Sequence, residues 1–337
     1  MDKTWRYLMP IGRLLGFISL VVLSACATTP LTKEARQALP VDLPERAELH
    51  EVPFYPQELY QCGPASLAEM LSYRGVDVSP DELRGEVYLP ERQGSLQLEI
   101  VAAARSRGML VYPLAPSLIA LLQEVAGGNP VLVLQNLSLP WFPLWHYAVV
   151  VGYDLGREEL ILRSGTTQRL VTSFKTFERT WARGDHWALV ISSPSQLPAT
   201  AEQKPFFQSA QELESLGHVA EARLAFDAGL ARWPGSPLGL MGLGNTAYTL
   251  EDYDAASTAF LLLTEVEPNL ASGWNNLAYA LAAQGCGQEA VEAAQCAVKL
   301  APDDKNVVSS LIEILKLSSR RSEYVNCAPI RCPKPAI

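Results

Sequence analysis

The sequence predicts an α+β domain followed by an all-α helical-repeat solenoid, and three observations carry that prediction. An apolar run with helical spacing (Ala65, Leu67, Ala68, Met70, Leu71) precedes several strand-like runs, the order of an α+β domain. Pro234, Pro268 and Pro302 then recur every 34 residues, with Ala222, Ala256 and Ala290 each twelve residues earlier. Between the two patterns lies the polar, Pro-punctuated stretch from Pro194 to Pro205, which reads as a linker over 194–204.

In chain order, Lys3, Arg6 and Arg13 accompany an apolar stretch from Leu14 to Leu23 that closes on Leu23-Ser24-Ala25-Cys26. The stretch is far short of the ~20 residues of a spanning helix, so residues 1–25 read as a signal peptide. The Leu-Ser-Ala-Cys ending resembles the lipobox of bacterial lipoproteins. That resemblance implies a lipid on Cys26, attachment to the membrane by it, and, with Ala27 rather than Asp next, an outer-membrane protein facing the periplasm. A cleaved signal with an incidental cysteine is the competing reading. Residues 26–48, broken by Pro30, Pro40 and Pro44, are expected to be the lipidated Cys and a tether.

Residues 49–193 are expected to be one domain. An extended lead-in (Val52-Pro-Phe-Tyr) leads to the helix opened by Cys62, a second helical pattern at Ser95–Arg107 and a short helix at Pro116–Val125. Strand-like runs follow at Val131–Gln135, Trp145–Tyr153, Glu159–Arg163 and Trp187–Ser192. Gly63 and Pro64 directly after Cys62 place its sulfur at a helix N-terminus, where free N–H groups and the macrodipole favour a thiolate. His146 opens the strand pattern His146-Tyr-Ala-Val-Val-Val-Gly-Tyr153 and is the base such a nucleophile needs. His186 is its rival, but the adjacent Asp185 would point to the opposite face of an extended chain. Trp141, Trp145 and Trp187 either line a cleft near His146 or pack in the core.

The segments Val52-Pro-Phe-Tyr-Pro-Gln-Glu-Leu-Tyr-Gln-Cys-Gly-Pro-Ala, Gly-Asn-Pro-Val-Leu-Val-Leu and His-Tyr-Ala-Val-Val-Val-Gly-Tyr-Asp resemble the papain-like peptidases that process bacteriocin leaders, family thirty-nine of the cysteine peptidases. The resemblance implies a papain-like α+β domain with Cys62 as nucleophile, His146 as base and Gln57 in the oxyanion hole. Gln61, adjacent to the nucleophile, is the weaker oxyanion candidate. The family's third residue is an Asp on the strand after the His strand. Here that stretch reads Leu160-Ile-Leu-Arg-Ser-Gly165, and Ser164 occupies the place without a charge. Asp154 cannot substitute, because eight residues of strand span about 26 Å. Leader-type specificity does not carry over, since the chain lacks the transporter segments that usually accompany it.

Over 205–320 the prolines, small residues and Phe226/Phe260 at matched offsets form a tetratricopeptide pattern, expected as three repeats plus a capping helix at Asn306–Leu317, with 321–337 as tail. Such an array implies a protein partner or a recruited protein substrate. Cys286, Cys296, Cys327 and Cys332 remain for disulfides; a Cys327–Cys332 tail loop and a Cys286–Cys296 bridge are both open, and neither pair has zinc spacing with His. A net charge of −9 without a Lys/Arg cluster excludes nucleic acid as a partner. No cofactor is expected. The functional expectation is a lipid-anchored envelope cysteine peptidase; the alternative is a non-catalytic adaptor that binds peptide or protein through a degenerate peptidase domain and the repeats. Transfer of the acyl group to an acceptor other than water is a third reading of the same thioester chemistry.

Overall fold

The structure is a computed structural model that describes residues 29–56, 61–92, 94–318, 327 and 329–333. Cys26 and Gln57 therefore lie outside the described residues. The segment expected to be a free tether is instead docked. Helix α1 (Pro30–Ala38) buries Thr32 and Ala35. The Leu31 and Thr32 amides and the Thr32 hydroxyl all donate to Glu178, and Arg36 forms a two-bond pair with Glu158. Strand β1 (Arg46–Glu48) then joins the sheet. Proline content alone suggested a linker; the tertiary contacts of Thr32, Ala35 and Arg36 override it.

The domain continues with α2 (Cys62–Tyr73), α3 (Pro80–Val87), α4 (Gln97–Arg105), β2 (Leu110–Pro113), α5 (Leu118–Ala126), β3 (Val131–Asn136), β4 (Trp145–Asp154), β5 (Glu159–Ser164), β6 (Thr167–Ser173), α6 (Phe174–Ala182) and β7 (Ala188–Ser192). These strands form an antiparallel sheet in the order β2-β7-β3-β4-β5-β6, with β1 pairing the far end of β4. Alternation along β4 divides the domain into two cores. Tyr147, Val149 and Val151 face α2, α3 and α4, with Leu67, Met70, Leu83 and Ile100. Ala148 and Val150 face α5 and α6, with Leu121, Phe177 and Trp181. The sequence reading had not foreseen α3, β2, β6 or α6.

Beyond β7 come helices α7 (Gln203–Ser215), α8 (Val219–Arg232), α9 (Pro237–Thr249), α10 (Tyr253–Val266), α11 (Ala271–Gln284), α12 (Gly287–Leu300) and α13 (Lys305–Ser318), three antiparallel pairs and a cap. The period-34 positions do the packing. Ala222, Ala256, Ala290, Phe226 and Phe260 are all buried, and a Cβ on Gly244 would stand 2.4 Å from the Phe260 ring, so that position takes no larger residue. The pairing of the late cysteines differs from both local schemes. Cys286 bonds Cys327 and Cys296 bonds Cys332, each stitching the tail back onto the third helical pair.

The linker is pinned rather than loose. Buried Glu124 accepts from the amides of Ala199 and Thr200 and from the Thr200 hydroxyl. Arg105 pairs with Glu212 across the junction, and Leu110 and Tyr112 share a core with Phe206, Phe207 and Phe226 of the first repeat. Glu124→Ala strands these linker donors and is expected to lower stability by about 3 kcal/mol. Urea unfolding measures that loss, and limited proteolysis should show faster cleavage around Pro198; an unchanged cleavage rate would place the junction's strength in the shared apolar core alone.

Candidate active site

Cys62 is the first residue of α2, and among the described residues no side chain caps that helix start. The free first-turn N–H groups are thus available to an anion. Backbone hydrogen bonds from Tyr147, Gly63 and Cys62 itself act on the sulfur and favour its charged form. Gly63 is needed here for space: a Cβ would lie 2.3 Å from the Ser95 hydroxyl. Pro64 fits because a first-turn residue has no intrahelical N–H bond to lose.

His146 is the second residue of β4, directly opposite Gln135 of β3. Its Nε2 lies 2.8 Å from the Ser164 hydroxyl, the last residue of β5. With Nε2 taken, Nδ1 is the ring nitrogen that Ser164 does not engage. The sulfur is tied to this strand through the backbone of Tyr147, the residue next to His146. Strand β4 therefore brings Cys62, His146 and Ser164 into one neighbourhood. Gln61 stands at the helix start. Asp154 sits at the other end of β4, where it pairs with Arg46 and accepts from the Arg157 amide in the following turn. His186 packs edge-on to Trp181 and lines a separate cavity of about 610 Å³ between the domain and α7, with Arg105, Gln208 and Glu212. Trp141 and Trp145 are exposed, not core, while Trp187 packs against the first core.

Electrostatics correct the thiolate expectation. Burial raises the Cys62 thiol above its ordinary range and outweighs the backbone bonds that lower it. Burial likewise drives His146 down to about 4. Both shifts favour the neutral thiol and the neutral imidazole. The Ser164 hydroxyl is consistent with that state, since it hydrogen-bonds a neutral ring but offers an imidazolium no charge.

Three contributors escaped the sequence reading. Ser95 packs on Gly63, its hydroxyl buried and without a partner among the described residues. Its carbonyl accepts from the Tyr147 hydroxyl. Glu69, two turns after Cys62, is fully buried and raised to about 8 by burial, against opposing effects from the Tyr55 amide and Arg163. Arg163 itself spends its guanidinium on the carbonyls of Val52, His50 and Gln168. The helical spacing of Ala65, Leu67, Ala68, Met70 and Leu71 around Glu69 was visible in sequence, but a buried acid on a core face has no local signature.

Comparison with known families agrees with this architecture. Residues 49–186 match the Peptidase_C39 like family, and residues 207–265 and 241–305 match the tetratricopeptide repeat. This is a C39-like domain joined to tetratricopeptide repeats. Among solved structures, a C39-like peptidase from Bacillus anthracis is 20% identical, covering 44% of this chain and 98% of its own, with a TM-score of 0.37. The peptidase domain of Streptococcus ComA, a bi-functional ABC transporter involved in quorum sensing, is 21% identical over 42% of this chain and 98% of its own, TM-score 0.35. The repeats are similar to the first TPR of Spaghetti (RPAP3) bound to the HSP90 peptide SRMEEVD, at 14% identity over 35% of this chain and 93% of that one, TM-score 0.33. No curated protein matches the chain.

Two expectations follow for the C39-like domain. Site-resolved alkylation of Cys62 followed across pH should be slow at neutrality and still rising above about pH 9, because burial holds the proton on sulfur; a plateau reached near pH 7 would show a preformed thiolate instead. The folded state keeps a proton on Glu69 that the unfolded chain releases, so this group's contribution to stability falls as pH rises from about 4.5 to about 8. Glu69→Gln removes that titration. Melting curves should show the variant gaining on the parent as pH rises through this window, and parallel curves would rule the protonated carboxyl out.

Proposed function

We propose that the protein is a lipid-anchored cysteine peptidase of the bacterial cell envelope, its C39-like domain cleaving a peptide bond through a Cys62–His146 thioester mechanism and its repeats recruiting a protein substrate or partner. The observation that carries this reading is the shared placement of Cys62 and His146. The sulfur opens an uncapped helix beside the backbone of Tyr147, and the preceding residue, His146, has its Nε2 held by Ser164. That leaves Nδ1 to take the proton.

In the reaction, the Cys62 sulfur attacks the carbonyl carbon as its proton passes to His146, and the carbonyl electron pair moves onto oxygen. Backbone N–H groups at the start of α2, with Gln57 as implied by the family resemblance, stabilise the oxyanion. Collapse expels the amine, which takes the proton from His146 and leaves a thioester on Cys62. Water, losing its proton to His146, then hydrolyses the thioester and restores the thiol. Because both partners rest neutral, the proton moves during attack rather than before it. Acylation at Cys26 and an outer-membrane, periplasm-facing location rest on the lipobox resemblance.

The absent carboxylate and the two burial-driven shifts favour the second reading, a non-catalytic adaptor that keeps the cleft for peptide binding. Repeats of this family point to protein–protein interaction, and a groove of about 450 Å³ lined by Glu214, Asn245, Tyr248, Asn276 and Tyr279 supports recruitment on either reading.

The test is turnover of a peptide library with Cys62→Ala as the blank, alongside Ser164→Ala and Ser164→Asp. The peptidase reading expects Cys62-dependent cleavage, a fall of about tenfold or more in kcat/KM on removing the Ser164 hydroxyl, and a His146 titration moved up from about 4 by the added carboxylate. Peptide binding without cleavage in any of these chains would establish the adaptor.

A further inference from the structure

The β3–β4 hairpin is built against the usual economy of a surface. From Val125 to Tyr153 the sequence contains no Asp, Glu, Lys or Arg. The two strands spend that apolar content in the cores, but the connection between them does not. Leu137, Leu139, Trp141, Phe142, Leu144 and Trp145 are all exposed, Trp141 at 79% and Phe142 at 75%. Scattered exposed hydrophobic residues are ordinary, whereas a contiguous group on one loop marks an interaction surface. Its shape is defined. The Leu139–Phe142 bridge and the Leu137 amide on the Leu144 carbonyl close the hairpin. The Asn136 side chain accepts from the amides of Ser138 and Leu144 at its base, and Pro140 and Pro143 flank the aromatic pair.

We infer that the Leu137–Trp145 hairpin inserts into the surface of a lipid bilayer and holds the Cys62–His146 cleft against it. Two observations favour lipid over a peptide. Trp141 and Phe142 at the tip stand out into solvent rather than lining a hollow, whereas ligand pockets are concave. The second is the position of the N-terminus. The described chain begins at Thr29, and Thr32 is bonded to Glu178 on α6. Two residues further along that helix Thr180 accepts from Gln135, and Arg183 just past its end donates to the Asn136 carbonyl, both at the hairpin base. Thr29, three residues after the proposed acylation position Cys26, thus leads directly into contacts with the helix that also holds the hairpin base. Among the described residues no helix is long and apolar enough to cross a membrane, so contact at this point would be interfacial. Trp and Phe are the side chains suited to that layer.

Since His146 directly follows Trp145, insertion would set the cleft at the lipid surface and favour substrates whose scissile bond lies close to a membrane. The choice of lipid rests on the proposed anchor at Cys26, while the hairpin's own contact with lipid is read separately from acylation and from turnover at Cys62.

The test uses the full chain with vesicles of brominated phosphatidylcholine and phosphatidylglycerol, whose bromines quench only tryptophans in contact with lipid. Quenching is compared between the parent chain and Trp141→Phe and Trp145→Phe, changes that keep the hairpin apolar and report only the lost emitter. The expected result is that these replacements remove part of the quenched emission and that the same loss appears in a Cys26→Ser background. Mass analysis of the N-terminal peptide reads acylation separately, so failure of the anchor is visible without affecting this readout. Trp141→Ser with Phe142→Ser should abolish quenching of Trp145 while leaving the melting temperature unchanged. Quenching that is identical in the parent and both Phe variants would overturn the inference. So would Trp141 emission that is indifferent to vesicles but shifts on adding peptide, which would assign the hairpin to the substrate cleft.

Discussion

Strand β4 is the constraint on which the rest depends. It is buried on both faces, paired with β3 and then β1 along one edge and with β5 along the other. Its alternation assigns Tyr147, Val149 and Val151 to one core and Ala148 and Val150 to the other. A slip of one residue would exchange those faces and carry His146 away from Ser164. The geometry of the candidate site and core packing are therefore set by the same register, and the site inherits its rigidity from the sheet.

Burial that fixes the site also sets its resting charge. Desolvation is the largest cause at Cys62, His146 and Glu69 alike, raising the two acids and lowering the base. A carboxylate in place of Ser164 would offset this by stabilising an imidazolium, but it would itself be an anion at a nearly buried position. The hydroxyl avoids that cost and still orients the ring. On the peptidase reading, a neutral pair gives up a preformed thiolate and would release the Cys62 proton only as a substrate carbonyl supplies developing charge for the N–H groups of α2.

The parts of this design legible in sequence are those with a local period. The Cys62 helix and β4 were readable from spacing, and the repeats from a 34-residue recurrence that maps onto buried Ala222, Ala256 and Ala290. Helix α3 carried a signal that could have been read, Ser79-Pro-Asp-Glu82, which forms a reciprocal cap. So did α6, where Phe174, Phe177 and Trp181 share one face. Strand β6 offered no alternation because nearly all of it is exposed. The docked α1, the disulfides joining Cys286 to Cys327 and Cys296 to Cys332, and the Glu69–Arg163 neighbourhood depend on contacts distant in sequence, which spacing does not encode.

The pinned junction changes how the two halves can cooperate. A flexible linker would give a substrate held by the repeats an effective concentration governed by chain length. Here Glu124 fixes Ala199 and Thr200, Tyr112 donates to the Thr200 carbonyl and accepts from the Glu202 amide, and the first repeat shares a core with β2. Reach is then set by geometry. A peptide held along the repeats meets Cys62 only if its path from the groove to the cleft matches a fixed span. Selection on such a span discriminates by the position of the scissile bond relative to the bound segment, so recruitment and cleavage would be two readings of one ruler rather than independent events.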